Sequence, residues 1–171
     1  MGSIFMGSAQ AAEVAESEFK WTGKKVTGQH YGKIPLKSSK LKEKDGKISG
    51  GEFVLDLNQM TVEDLTGKYR DKFLGHMKSP DFFEVKTWPT AKLVISELRG
   101  AEAKGLLTIK GKTNPVKINF KEDQGVYSGV LNFDRTKFDM IYGSGSFFKN
   151  LGDKMIYNEV TVEFKVKIKS R

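Results

Sequence analysis

The feature that most constrains this chain is a period of two. Near the C-terminus Val160, Val162, Phe164, Val166 and Ile168 alternate with Thr161, Glu163, Lys165, Lys167 and Lys169. Successive side chains of an extended strand leave opposite faces, so this run reads as a strand with one apolar and one lysine-rich face. The pattern recurs along the chain. Phe19 and Trp21 alternate with Glu18, Lys20 and Thr22, while Phe53, Leu55 and Leu57 share a face opposite Val54 and Asp56. Leu93 pairs with Ile95 and Leu107 with Ile109, and Val116, Ile118 and Phe120 alternate with Lys117, Asn119 and Lys121. Such runs amount to about eight antiparallel strands, enough for a barrel whose interior is full or holds one small ligand. Sandwich and barrel share this pattern.

Other signals punctuate the strands. Asp45-Gly46 is a hairpin turn joining a strand near Leu41 to one from Ile48 onward. Across 61–78 the period changes: Val62, Leu65, Tyr69, Phe73, Leu74 and Met77 recur at helical spacing, and Thr61 with Asp64 resembles a capping box. Gly67 interrupts this stretch, so a turn followed by a shorter helix is the alternative reading. Ser79-Pro80 ends it, because the residue before a proline avoids helical backbone. A turn is expected over 111–115, and the Gly-rich aromatic stretch 142–153 reads as a long loop or a broken strand. The expected fold class is therefore all-β, an antiparallel barrel with one α-helix inserted. Residues 1–17 carry four alanines and no Lys or Arg, and resemble the small-residue end of a leader or a tag lying outside the fold. The domain is expected over 18–171.

Composition narrows the function classes. The chain has no cysteine and two histidines, His30 and His76. That removes disulfides, Cys-ligated metal and His-rich metal sites. It also leaves a Ser-His-Asp hydrolase little material, and Gly143-Ser144-Gly145-Ser146 is neither a nucleophile elbow nor a phosphate loop. No apolar run reaches the roughly 18 residues of a membrane-spanning helix. The net charge of +8 is spread along the chain. Scattered lysines mark solvated strand faces and guarded edges. A basic barrel binding nucleic acid or another anionic partner is the competing reading, distinguished by a steep salt dependence.

Six segments, in order, resemble the YceI-like family of polyisoprenoid-binding, lipocalin-like proteins: WTGKKVTGQH at 21–30, GGEFVLDL at 50–57, LGHMKSPDFF at 74–83, GLLTIKG at 105–111, DRTK at 134–137 and YGSGSFF at 142–148. The resemblance runs from Ser17 to about Lys169. It implies an extended barrel with a helix beside it, export to the periplasm, a homodimer, and an isoprenoid or other long-chain amphiphile in the interior. Such a protein is a non-enzymatic carrier, store or sequestering agent, without cofactor or metal. It has no transmembrane segment and meets the membrane surface at most transiently. Nucleic acid is not an expected partner.

The candidate ligand contacts follow from face and position. Trp21, Ile34, Phe53, Leu55, Leu93, Ile95, Leu107, Ile109, Phe133 and Phe164 lie on inward faces, where each either fills a core or lines a lipid tunnel. Phe82 and Phe83 adjoin the helix end. His30, on an otherwise small and apolar face, is either a hydrogen-bonded core residue or a headgroup contact. His76 is expected to hydrogen-bond near the helix end. Arg135 shares its face with Leu131 and Phe133, so it either pairs with an acid such as Asp56 or Asp139 or meets a ligand phosphate or carboxylate. Tyr142 and Phe147 belong to a stretch that is either an aromatic gate or a bulged strand.

Overall fold

The computed structural model describes residues 8–170. Ten strands form a single sheet with hydrogen-bonded order β1–β4–β5–β6–β7–β8–β9–β10–β2–β3. They run β1 Gln10–Ala12, β2 Val14–Lys25, β3 Gly28–Lys33, β4 Leu36–Lys44, β5 Lys47–Asp56, β6 Thr90–Arg99, β7 Glu102–Ile109, β8 Lys112–Asp123, β9 Val126–Asp134 and β10 Ile156–Ile168, with one helix, α1, at Gly67–Met77. Every pairing is antiparallel.

The count exceeds the expected eight because the ladder is not continuous around the tube. Only Glu13 separates β1 from β2, so one run of chain pairs with β4 at its start and with β10 beyond. The sheet curls until its flanks share that run, but the seam between β3 and β4 carries no ladder. The chain itself crosses it: Ile34 donates its N–H to Phe19 O at 3.0 Å, and Pro35 O accepts from Asp56 N at 2.9 Å. The free edge of β3 is capped by residues 61–64, which lie alongside it. Thr61 N donates to Lys33 O and Glu63 N to Tyr31 O, both at 2.8 Å. This approach needs Gly32, since a Cβ there would lie 1.9 Å from Thr61 O. A covered edge cannot template pairing with another chain.

Three sequence expectations change. The fold begins at Gln10, not at residue 18: strand pairing with β4 and β10 draws 10–17 into the sheet despite their leader-like composition. The remainder of the expected leader, residues 1–7, lies outside the described residues. The helix starts at Gly67 with Thr66 at its N-cap. Thr61 and Asp64 serve β3 instead, accepting from Lys33 N and Tyr31 N at 3.0 Å each. The turn before β8 is Lys110-Gly111, with both residues at positive φ, and Pro115 sits within the strand. β9 pairs with β8 only from Ile118 onward, so Pro115 faces no ladder on that side and its missing N–H costs nothing. The Asp45-Gly46 hairpin is as expected, with φ of 53° and 77° suited to a primed turn.

Candidate functional site

The inward faces of the sheet do not meet. They enclose an apolar cavity of about 220 Å³. Packed interiors contain few voids larger than a water. A dry apolar cavity of roughly 150 Å³ holds a benzene ring, so this one has room for more than a single ring. The wall follows β10 from end to end: Ile156, Val160, Val162, Phe164, Val166 and Ile168 all line it. Twelve residue steps at roughly 3.3 Å give about 40 Å along the strand, and a barrel tilt of 35–45° leaves ~30 Å along the axis. The cavity is therefore lined by apolar side chains along the whole of β10.

Of the sixteen expected contact residues, fourteen line this cavity: Trp21, His30, Ile34, Phe53, Leu55, Phe82, Phe83, Leu93, Ile95, Leu107, Ile109, Phe133, Arg135 and Phe164. Tyr142 and Phe147 do not. They sit in a loop without strand structure, 45% and 56% exposed. Tyr142 packs edge-on against His76 at 4.5 Å between ring centres, on the outer side of Phe82. The sequence reading omitted Phe73, Met77 and Met60 from the wall. The helical spacing marked Phe73 and Met77 as apolar without saying which surface they cover. Phe73 stacks on Trp21 with an interplanar angle of 5° and meets the His30 ring at 4.6 Å, so α1 supplies wall at this end of the tube.

Several polar groups on the wall are held by hydrogen bonds. His30 Nδ1 lies 2.7 Å from Asp64 Oδ2, and Asp64 Oδ1 also accepts from Tyr31 N. Partial burial works to raise the Asp64 pKa, but the Tyr31 amide and His30 outweigh it and hold the carboxyl below its ordinary 3.8. His30 is thus satisfied from behind and presents its ring to the cavity. Trp21 donates its indole N–H to Thr61 O at 3.0 Å. His76, outside the wall, bonds Asp81 at 2.9 Å near the helix end.

Arg135 does not take the first of its expected roles, pairing with an acid. It is 3% exposed and pairs with neither Asp56 nor Asp139. Its guanidinium donates instead to three backbone carbonyls, Met140 O at 2.6 Å, Ile156 O at 3.0 Å and Tyr157 O at 3.1 Å. It also lies 5.9 Å from the centre of the Phe82 ring. Desolvation lowers its pKa, opposed by the nearby Asp134 carboxylate. A guanidinium still keeps its proton at neutral pH. The result is a buried cation, held by dipoles, on the wall of an apolar cavity. Five N–H donors meet three carbonyls, which leaves donors free to face a ligand.

Two of the carbonyls that hold Arg135, those of Ile156 and Tyr157, belong to an irregular stretch. Ile156 pairs with Lys25 and Val160 with Gly23, so four steps of β10 oppose two of β2. This bulge takes Tyr157, Asn158 and Glu159 out of the ladder with β2, while Glu159 still pairs with Asp134 of β9. Lys24, Lys25 and Tyr157 line the cavity and also reach solvent, with Tyr157 47% exposed. Exposed side chains of the cavity wall thus gather beside the bulge, with Lys92 of β6 exposed elsewhere on it.

A model of the YceI-like domain matches residues 10–168. The chain belongs to the YceI-like family. Solved structures agree on the fold of this YceI-like protein. The crystal structure of Burkholderia cenocepacia BcnA is similar with a TM-score of 0.68 at 21% identity, over 93% of this chain and 99% of that one. A polyisoprenoid-binding domain from Saccharophagus degradans, implicated in plant cell wall breakdown, gives 0.63 at 14% identity over 94% and 98%. The Campylobacter jejuni YCEI protein gives 0.55 at 10% identity over 100% and 91%. No curated protein matches the YceI-like chain. Among its described residues no helix is long and apolar enough to cross a membrane.

Proposed function

We propose that this YceI-like protein binds one long apolar chain, a polyisoprenoid or similar amphiphile, in its interior and serves to transport, store or sequester it. The observation that carries this reading is the apolar cavity lined by side chains along the length of β10. Burying a methylene is worth about 0.8 kcal/mol, so a chain of a few five-carbon units offsets the entropy lost on binding. Arg135 gives the amphiphile a direction. Its buried charge lies beside the bulge, so the polar end of the ligand stays there while the tail fills the tube. The Saccharophagus degradans domain, a polyisoprenoid-binding domain, supports the ligand class. The site binds without transforming its ligand, and the protein works as a homodimer outside the cytoplasm.

Native mass spectrometry of protein purified from cells tests the reading. The expected result is a second, heavier species whose excess mass extracts into organic solvent as a long-chain lipid. Binding of a polyprenol to stripped protein should survive high salt, because apolar burial is not screened. Protein that is always empty, and that takes up no polyprenol while fully folded, would end the proposal.

A further inference from the structure

We infer that the loop 142–155, with the β2–β3 hairpin beside it, is a docking surface for anionic lipid bilayers. Five exposed apolar side chains gather at this end of the tube: Val26, Tyr142, Phe147, Phe148 and Tyr157. Val26 N donates to Met155 O at 3.1 Å and Ile156 N to Gly143 O at 2.8 Å, which ties the hairpin tip and the loop base together. Exposed apolar groups collected in one place mark an interaction site more often than scattered ones do.

The loop is built to present its phenylalanines. Ser144 is fully buried. Its carbonyl accepts from Phe147 N at 3.2 Å and Phe148 N at 3.0 Å. Its hydroxyl donates to Asn158 Oδ1 at 2.6 Å and accepts from Ser146 N at 3.2 Å, while Asn158 Nδ2 donates to Ser146 Oγ at 2.8 Å. This scaffold fixes two neighbouring rings that stay 56% and 46% exposed. The network thus holds two apolar side chains in water, where the hydrophobic effect favours their burial against an apolar partner.

Charge identifies the partner. Lys24 and Lys25 adjoin Val26 on the hairpin and Lys149 and Lys154 lie on the loop, against the carboxylates Asp153, Glu159 and, beside His76 and Tyr142, Asp81. Aromatic rings flanked by lysines suit the headgroup level of a membrane, where rings enter the interface and each cation near an anionic surface adds about 1 kcal/mol. A second copy of this chain fits less well, since a two-fold interface would set the same lysines against each other. The surface also adjoins the exposed cavity wall at Tyr157, so a docked protein would place that part of the wall against the lipid. The docking surface rests on these exposed residues and not on the identity of the bound chain.

Vesicle flotation tests it. The wild-type protein is expected to float with vesicles of mixed phosphatidylglycerol and phosphatidylcholine, less at high salt, and not with phosphatidylcholine alone. Phe147→Ser with Phe148→Ser, and separately Lys149→Glu with Lys154→Glu, should each weaken flotation at least about tenfold. None of these residues lines the cavity, so polyprenol uptake and Tm stay unchanged, which separates a docking defect from a failure to bind ligand. Wild-type protein that ignores anionic vesicles, or Phe variants that float as well as wild type, overturns the inference. So does a Phe variant whose only change is a smaller sedimenting mass, since the face would then be a contact between copies.

Discussion

Ala103 offers a direct test of whether the interior is open. It is 3% exposed, lines the cavity and pairs across β7 with Leu98 on one side and Ile118 on the other. Ala103→Leu adds three carbons directed inward. If they enter the channel, they are buried without displacing neighbours, a gain of up to about 2.4 kcal/mol at about 0.8 kcal/mol per carbon. Ordering the leucine side chain removes about 0.5–1 kcal/mol, leaving about 1.5–2 kcal/mol. For a domain of this size that raises Tm by about 3–8 °C. The same carbons occupy the cavity, so uptake of a long polyprenol should fall. Calorimetry on stripped protein gives the first quantity and titration with polyprenol the second. The two should move in opposite directions, with stability up and binding down. A packed core predicts the reverse sign, because overpacking costs about 1–3 kcal/mol. A variant that melts several degrees lower while binding is unchanged would refute the open channel.

Four further outcomes follow from particular residues. Arg135→Leu strands the Met140, Ile156 and Tyr157 carbonyls, and urea unfolding should show a loss of about 2–5 kcal/mol. Arg135→Lys should rescue only part of this, since one ammonium cannot span the three acceptors. Asp64 has a folded-state pKa below its ordinary 3.8, so its ionised form contributes stability that is complete above that pH and is lost as the pH falls through the lower value. The stability gap between wild type and Asp64→Asn, measured by urea unfolding, should therefore close in acid. Gly32→Ala should cost more than about 2 kcal/mol, because its Cβ would strike the backbone of Thr61. Gly75→Ala in α1, where nothing lies within 4 Å, should gain about 0.5–1 kcal/mol by thermal melting.

The parts of the structure legible in the sequence are those set by local geometry. Alternation in β10 assigned Val160, Val162 and Phe164 to the inside because side-chain direction in a strand depends on the strand alone. Asp45-Gly46 was legible for the same reason, since the turn's positive φ values select those residues. Long-range pairing was not. Nothing in the composition of Gln10–Ala12 announces a strand, and it becomes one because β4 offers a partner. Thr61 and Asp64 have the chemistry of a helix cap, but the edge of β3 needed their oxygens more than Gly67 did. Arg135 was recognisable as a cation among apolar neighbours. Its actual partners are carbonyls whose direction is set by the turn after β9 and the bulge in β10, and no residue type records a carbonyl's direction. The bulge was invisible for the same reason: it is made by a register shift between Ile156 and Val160.

The open interior also explains why small and large residues are mixed on the inward faces. Ala91 and Ala103 lie among Leu107, Ile109, Phe133 and Phe164 on one wall, and larger side chains at the alanines would shorten the channel. An unfilled apolar cavity forgoes roughly 24 cal/mol per Å³, which for 220 Å³ comes to about 5 kcal/mol. That is comparable to the whole net stability of many domains, about 5–15 kcal/mol. Selection for stability alone would close such a void, since cavity-filling substitutions are among the easiest stabilising changes to find. A channel kept open against that gradient is accounted for when its occupant restores the lost contacts. Any such occupant must be apolar along most of its length, with its polar part confined to the end where buried Arg135 lies beside the exposed Lys24 and Tyr157.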